Sequence, residues 1–292
     1  MNETDENLHD KYFGHEHVTI IEPHGHLLDL KLKELWAYKD LILLFVRRDF
    51  VAQYKQTILG PLWHFLQPFL TTVIFTIVFG KIARISTDGA PPFLFYMAGT
   101  VIWGYFAGVL TDIANTFRGN AHIFGKVYFP RLVVPVSILL SKLIAFAFQF
   151  LFFLGFLVYF GLTGAEVKPN AWVLMTPVLL LMMAMLGMGL GVIVSAVTVR
   201  YRDLAVLTGF GVQLFMYLSP VVYPVSILAE PYRSWMLINP VAPIIETFRY
   251  AYLGSGSVSF SDLYVSAGVI TFILLVGVML FNRVERTFMD TV

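Results

Sequence analysis

The sequence predicts an all-α polytopic membrane protein, with six transmembrane helices preceded by an amphipathic interfacial helix and short re-entrant helices before the last span. Three observations predict it. Of the 292 residues, 58% are hydrophobic and 13% charged, with a mean hydropathy of +0.74, whereas apolar residues make up about half of a soluble globule at most. Six apolar runs are long enough for a hydrocarbon core about 30 Å thick. Most of the basic residues fall in connections that one orientation puts on a single side of the bilayer. The chain divides into a polar tail over 1–29, interfacial helices over 30–63 and a six-span domain over 64–292.

The tail is acidic and holds five of the seven histidines, His9, His15, His17, His24 and His26. Clustered histidines need a fixed geometry to hold a metal, and no apolar residues nearby would supply one, so a solvated tail and no metal site are expected. The tail has no basic start leading into an apolar run, so no cleavable signal peptide is expected. Leu32, Leu35 and Trp36 then recur at helical spacing among lysines. In the next stretch Leu43, Val46, Phe50, Tyr54 and Ile58 recur at intervals of three and four, which stacks them on one helix face. Arg48, Asp49, Gln53, Lys55 and Gln56 take the other sides. Such a helix lies in the headgroup layer, its cations meeting anionic lipid. Arg47 falls inside the apolar stripe, so it either snorkels to the headgroups or faces a specific anion.

The spans are placed near 64–80, 93–114, 136–160, 172–197, 205–223 and 263–282. An even number puts both termini on one side. With the termini cytoplasmic, 15 of the 20 Lys and Arg lie inside and 5 outside (Lys81, Arg84, Lys168, Arg233 and Arg249), which satisfies the positive-inside rule. The spans are nearly free of ionisable groups, apart from Asp112 and Lys142 near cytoplasmic ends. Ion-driven transporters hold their coupling ion on an acid or histidine at mid-membrane, so any uphill transport here must draw energy from outside the membrane. Gly104 and Gly108, and Gly187 and Gly191, form GxxxG pairs suited to close helix packing within one subunit.

From Pro224 to Asp262 the chain is apolar but broken by Pro224, Pro231, Pro240 and Pro243. Each piece is too short to span, and irregular backbone at membrane depth must be buried or line a cavity. This segment, 224–262, reads as an external gate. Glu246 and Arg249, three apart, pair on one helical face, and an exposed surface pair is the expectation.

Two short, basic, aromatic loops, NTFRGNAHIFGKVYFPRLVVP after the second span and VRYRDL after the fourth, would project compact knobs toward a soluble partner. The chain carries no P-loop, which needs G-x-x-x-x-G-K-[ST] to cradle phosphates. Its nearest approach, Gly119 to Val127, has five residues between the glycines and Val after the Lys. With no cysteines, disulfides and thiolate chemistry are excluded. Outside the tail the histidines are His64 and His122, and neither is followed at helical spacing by the acidic partner that a dyad on one helix would need, which argues against an acid–base dyad. Aromatic residues, 16% of the chain, suit a sugar channel because rings stack on apolar pyranose faces, although lipid-facing and core roles are commoner for any one ring. The densest cluster, Tyr96, Trp103, Tyr105 and Phe106, supplies the channel candidates.

Taken together, RDFVAQYKQTILGPLW, LQPFLTTVIFTIVFGK, KVYFPR, VRYRDL, LSPVVYP and NPVAPIIETFRYAYLG resemble the permease subunits of ABC transporters that export lipid-linked polysaccharides such as O-antigen, capsule and teichoic acid. The resemblance extends from about Ile21 to the end. It implies two six-span permeases with a polymer channel at their interface and two ATP-binding ABC subunits that carry the ATP and magnesium, so no cofactor in this chain. It also implies a bacterial cytoplasmic-membrane location, lipid contact and no nucleic acid. By the same resemblance Arg47, Arg48, Tyr54, Leu59, Gly60 and Trp63 border a cytoplasmic entrance that meets the pyrophosphate of an undecaprenyl carrier. Tyr128, Phe129, Pro130, Arg131, Arg200, Tyr201, Arg202 and Asp203 contact the ATPase, and Pro224, Pro240, Glu246 and Arg249 belong to the outer gate. Which loop is the main coupling helix stays open. The alternatives are a membrane enzyme acting on lipid-linked sugars and an ATP-independent scramblase.

Overall fold

The computed structural model describes residues 32–288, apart from 56, 125, 128, 200 and 202. The tail and its histidines lie outside the described residues. Among those described, all regular structure is helical. Helix α1 (Leu32–Ala37) leads into α2 (Lys39–Tyr54), and a turn at Gly60–Leu62 into α3 (Trp63–Phe75), which continues as a π-helical segment to Ile82. Then follow α4 (Pro92–Ala114), α5 (Thr116–Phe124), α6 (Val133–Leu162), α7 (Thr176–Thr198), α8 (Leu204–Tyr217), α9 (Glu230–Ile238), α10 (Val241–Leu253) and α11 (Phe260–Phe288). Proline opens several of them: Pro92, Pro177 and Pro231 occupy first-turn positions, where the missing N–H has no helical acceptor to lose.

Among the described residues, five helices are long and apolar enough to cross a membrane: Trp63–Ile82, Pro92–Ala114, Val133–Leu162, Ala171–Thr198 and Phe260–Val284. They coincide with five of the six spans predicted. The sixth differs. Its helix, α8, has 14 residues and at 1.5 Å per residue is about 21 Å long, short of a 30 Å core. The predicted span ran on to 223, but Pro220 lacks an N–H and disfavours helix at Ser219 before it, so the chain turns over 218–223. Beyond it α9 and α10, with 9 and 13 residues, are also too short to cross.

Helix α4 is the axis of the bundle. It packs against α3, α6, α7, α8 and α10, while α7 packs in turn on α11. Close approach comes from small residues. A Cβ on Gly187 would sit 2.8 Å from Val109 and one on Gly191 2.8 Å from Ile113, so this GxxxG pair seats α7 on α4 within the subunit. Opposite, a Cβ on Gly277 would lie 2.6 Å from the Gly189 carbonyl oxygen, which brings the backbones of α7 and α11 together.

The non-helical stretch after α8 is held by two side chains. Asn239 donates through Nδ2 to the Leu218 carbonyl at 3.1 Å and to the Ser219 hydroxyl at 2.9 Å. Arg249, on α10 and 0% exposed, donates to the carbonyls of Pro220 at 2.6 Å and Val221 at 2.5 Å. Its guanidinium carbon stands 3.6 Å from the Phe95 ring centroid, a desolvated cation–π contact worth roughly 2 kcal/mol. Gly99 makes room: a Cβ there would meet Arg249 Nη2 and the Val221 oxygen, each at 2.7 Å.

Two predictions follow from this packing. Arg249→Met should lower the stability of the detergent-purified chain by about 3 kcal/mol or more, since it strands buried acceptors; an unfolding midpoint equal to wild type would show that the carbonyls find other donors. Gly277→Val should cost about 1–3 kcal/mol through overpacking, whereas Gly155→Val, at a position with nothing within 4 Å, should leave the thermal midpoint unmoved.

Candidate functional site

The spans are apolar, so a polar cleft among them stands out. One of about 450 Å³ opens between α3, α4 and α6. Gln67 and Thr71 reach it from α3, Thr111 and Asp112 from α4, and Lys142 and Gln149 from α6. Lys142 Nζ lies 2.6 Å from Asp112 Oδ2, and the lysine stem fits over Gly108, where a Cβ would come within 3.3 Å of it. The ion pair therefore crosses from α6 to α4 at a point that only a residue without a side chain leaves open. A second cavity, of about 360 Å³, lies beside α2 and is bordered by Asp49, Phe50 and Ser141. His64, Asp112 and Lys142 line both cavities. The His64 ring is buried and stacks at 10° on Phe148, 6.1 Å away. The rule that set His64 aside looked for a partner on its own helix, whereas its neighbours at the cavities come from α4 and α6.

Of the channel candidates, Trp103 and Tyr105 border the larger cavity. Tyr96 and Phe106 do not. Both are 0% exposed: Tyr96 packs against Phe75, Phe79 and Phe95, and Phe106 against Trp103 and Phe215. In this conformation they are core.

At the α2 end, the entrance candidates divide. Ile42, Phe45 and Val46 are buried, with α2 packed along α6. The predicted stripe was offset from this face: Leu43 is exposed, and Ile58, past the helix end at Tyr54, is fully exposed. The face turned away carries Leu43, Arg47 and Val51 at successive intervals of four, all exposed. Arg48 pairs with Asp49 at 2.8 Å and covers the Phe45 ring at 4.5 Å. Leu59 and Trp63 are exposed. Gly60, at φ +50°, takes a left-handed turn that suits glycine. The side chain of Tyr54 lies outside those described.

The loop candidates also divide. Tyr128, Arg200 and Arg202 lie outside the described residues. Tyr201 and Asp203 are exposed. Phe129, Pro130 and Arg131, expected on a projecting knob, are instead buried. The reason is a run of rings: Phe45 meets Phe129 at 5.8 Å, Phe129 meets Phe124 at 5.6 Å, Phe124 meets Phe117 at 6.1 Å, and Phe117 stacks on Phe281 at 4.6 Å. The Arg131 guanidinium lies 5.5 Å from the Phe124 ring centroid. The residues of this region that do project are Arg118, Gly119 and His122 on α5, then Lys126 and Val127.

At the opposite end the expected surface pair of Glu246 and Arg249 is a buried one, with Glu246 5% exposed and Arg249 fully covered. Their closest approach is 3.5 Å, long for an ion pair, because Arg249 gives its short bonds to carbonyls. Burial pushes the Glu246 carboxyl above its ordinary range, against the pull of Arg249 and of the Val225 and Ser257 N–H groups it accepts from. Pro224 is buried and Pro240 half-buried. The Ser226 hydroxyl lies 2.8 and 2.9 Å from the Asp88 carboxylate oxygens, which ties this segment to the α3–α4 loop.

Most of this arrangement, from Asp40 on α2 through the cleft to the end of α10, falls within residues 40–253, which match the model of a family described as ABC-2 type transporter. The O-antigen export system permease protein RfbA of Klebsiella pneumoniae is 26% identical over 269 residues, covering 90% of this chain and 99% of that protein. A protein of the same name from Myxococcus xanthus is 26% identical over 263 residues, with 89% and 98% covered. The inner membrane transport permease YadH of Escherichia coli K12 is 22% identical over 268 residues, with 89% and 97% covered. A multi-pass bundle of apolar helices, matched in order over most of its length, identifies this chain as a member of the ABC-2 type transporter family.

Proposed function

We propose that the chain is the transmembrane subunit of an ATP-driven exporter that carries a polysaccharide, linked to undecaprenyl diphosphate, from the cytoplasm to the outer side of the inner membrane. The observation that carries this reading is the nearly end-to-end match to permeases named for O-antigen export. The polar cleft between α3, α4 and α6 supports it, since a lining of amides, hydroxyls and rings suits sugar. The energy source is external: Asp112 and Lys142 neutralise each other, so neither is poised to bind a coupling ion. ATP is hydrolysed by a separate ABC subunit, present in two copies on a pair of permeases. The termini are cytoplasmic by the distribution of Lys and Arg.

In this reading α5 and the residues after it dock the ATP-binding subunit, because among the described residues Arg118 and Lys126 are the cations that project there, with His122 exposed beside them. Arg47, exposed on the outward face of α2 beside Leu43 and Val51, meets the carrier pyrophosphate at the entrance near Leu59 and Gly60. The segment around Pro224, Pro240, Glu246 and Arg249 closes the outer end.

The purified chain should hydrolyse no ATP alone and should gain turnover on assembly with a P-loop subunit; hydrolysis by the single chain would refute the division of labour. Reversing Arg118 and Lys126 together to Glu should lower that stimulated turnover and the yield of complex on a size column, through mispaired charge at the contact. Unchanged values for both would remove α5 from the interface. Arg47→Lys separates the two readings of that residue, because a guanidinium fork binds phosphate oxygens in pairs and an ammonium only as a point charge. Carrier-stimulated turnover should fall for Arg47→Lys and hold for Arg48→Lys. Equal small effects would leave Arg47 a snorkelling residue.

A further inference from the structure

The two cavities share His64, Asp112 and Lys142 in their walls. One borders α2; the other runs between α3, α4 and α6 as far as Thr100 and Met216. These residues therefore stand at the junction, or neck, where a cavity beside α2 abuts a cleft that extends along the spans. An ionisable pair among transmembrane helices is costly to keep and marks a polar path. Here it is also seated: the Lys142 stem occupies the notch at Gly108, and Asp112 is held at 2.6 Å.

The charge of the neck restricts what can pass. A lone Lys142 would attract anions and a lone Asp112 would repel them; held together they present no net charge. Next to the pair stand groups that both donate and accept hydrogen bonds, Gln67, Gln149 and Thr111, and in the α2-side cavity the buried Ser141 hydroxyl has no hydrogen-bond partner among the described residues. Trp103 and Tyr105 add ring faces. Sugar hydroxyls match such amides and hydroxyls, and the apolar faces of the sugar ring match the aromatic walls. A phosphate or carboxylate gains little from Lys142 while Asp112 neutralises it, and once the pair opens the half-exposed Asp112 repels it.

We propose that the neck at His64, Asp112 and Lys142 admits an uncharged, hydroxyl-rich chain, a neutral glycan segment, and that the Asp112–Lys142 pair is the specificity element that turns anionic chains away. The proposal rests on the reading of the chain as a polysaccharide exporter. It differs from the role given to Arg47, which concerns the carrier end: a single diphosphate meets the pair once as it crosses, whereas an anionic repeat would meet it at every unit of the chain.

The absence of native cysteines allows a direct test on the full chain in membranes. Thr111→Cys is labelled with a water-soluble maleimide while a neutral dextran oligosaccharide or a dextran sulfate of the same length competes. The neutral probe should slow labelling and the sulfated probe should not. Asp112→Asn, which leaves Lys142 uncompensated, should improve protection by the sulfated probe about tenfold in the concentration required, the factor that ~1.4 kcal/mol gives. The exchanged pair, Asp112→Lys with Lys142→Asp, restores neutrality and should restore the preference for the neutral probe, which a purely structural pair need not do. Equal protection by both probes, protection by neither, or no change of preference in Asp112→Asn would overturn the proposal. The labelling needs no ATP-binding subunit, so it is separable from export: a chain with this selectivity that assembles with no ATPase would sink the exporter reading alone, while an active exporter without the selectivity would sink the neck alone.

Discussion

Where burial shuts water out, a chain that leaves a helix must supply donors for the carbonyls it frees. That constraint governs the region after α8. Pro220 ends the helix, and the carbonyls freed there would each cost on the order of 1–3 kcal/mol if left bare. Arg249 answers with two short bonds, to Pro220 and Val221, and Asn239 with a third, to Leu218. Neither donor is local in sequence, so α10 must dock before the turn is stable, and its docking fixes where Glu246 and the Val225–Ile227 turn come to rest. The absence of a side chain at Gly99 is part of the same arrangement, because α4 must approach the guanidinium closely enough for Phe95 to cover it.

Helix α4 serves both ends of the molecule. Near its start it carries Phe95 and Gly99 against Arg249; near its end it carries Gly108 and Asp112 against Lys142. Between them Thr100 approaches the Thr72 hydroxyl of α3 at 3.4 Å. Each polar contact is paired with a small residue or a hydroxyl that permits approach, while the α7 side of α4 is packed by glycine against Val109 and Ile113. The result is a helix with a dry face toward α7 and a wet one toward α3 and α6. A cleft beside such a helix is defined by rigid packing behind it rather than by loops around it.

The spans were legible because length and hydropathy are properties of contiguous residues. Five of the six emerged where they were expected, and Pro224, Pro231 and Pro240 stand at the starts of short helical segments, whereas Pro243 lies inside the first turn of α10 and breaks nothing. What was not legible depends on partners far along the chain. Glu246 and Arg249 could be paired from their spacing, but their burial follows from carbonyls 28 and 29 residues away. His64, Asp112 and Lys142 each looked isolated on its own helix, and only the packing of α3, α4 and α6 gathers them. Phe129 and Arg131 were read as a projecting knob because a basic aromatic loop resembles one. The rings that pull them inward belong to α2, α5 and α11, and no local pattern announces that match. The stripe on α2 was offset because periodicity identifies an apolar face without saying whether protein or lipid covers it: Leu43 and Val46 fit one stripe, yet only Val46 packs inside.

The two ends of the bundle are consequently held by different physics. Around Arg249 the contacts are directional hydrogen bonds from a buried cation, and a shift of an ångström or two would orphan polar groups with nothing to replace their partners. Around α2 and α5 the contacts run ring to ring, from Phe45 through Phe129 and Phe124 to Phe117 and Phe281. These ring pairs meet edge-on, tilted or stacked, and their attraction is a sum over many small atom contacts, with no buried donor or acceptor to orphan. The Arg249 end depends instead on a few donors with no substitute, to Pro220 and Val221, so single side chains matter more there than in the run of rings.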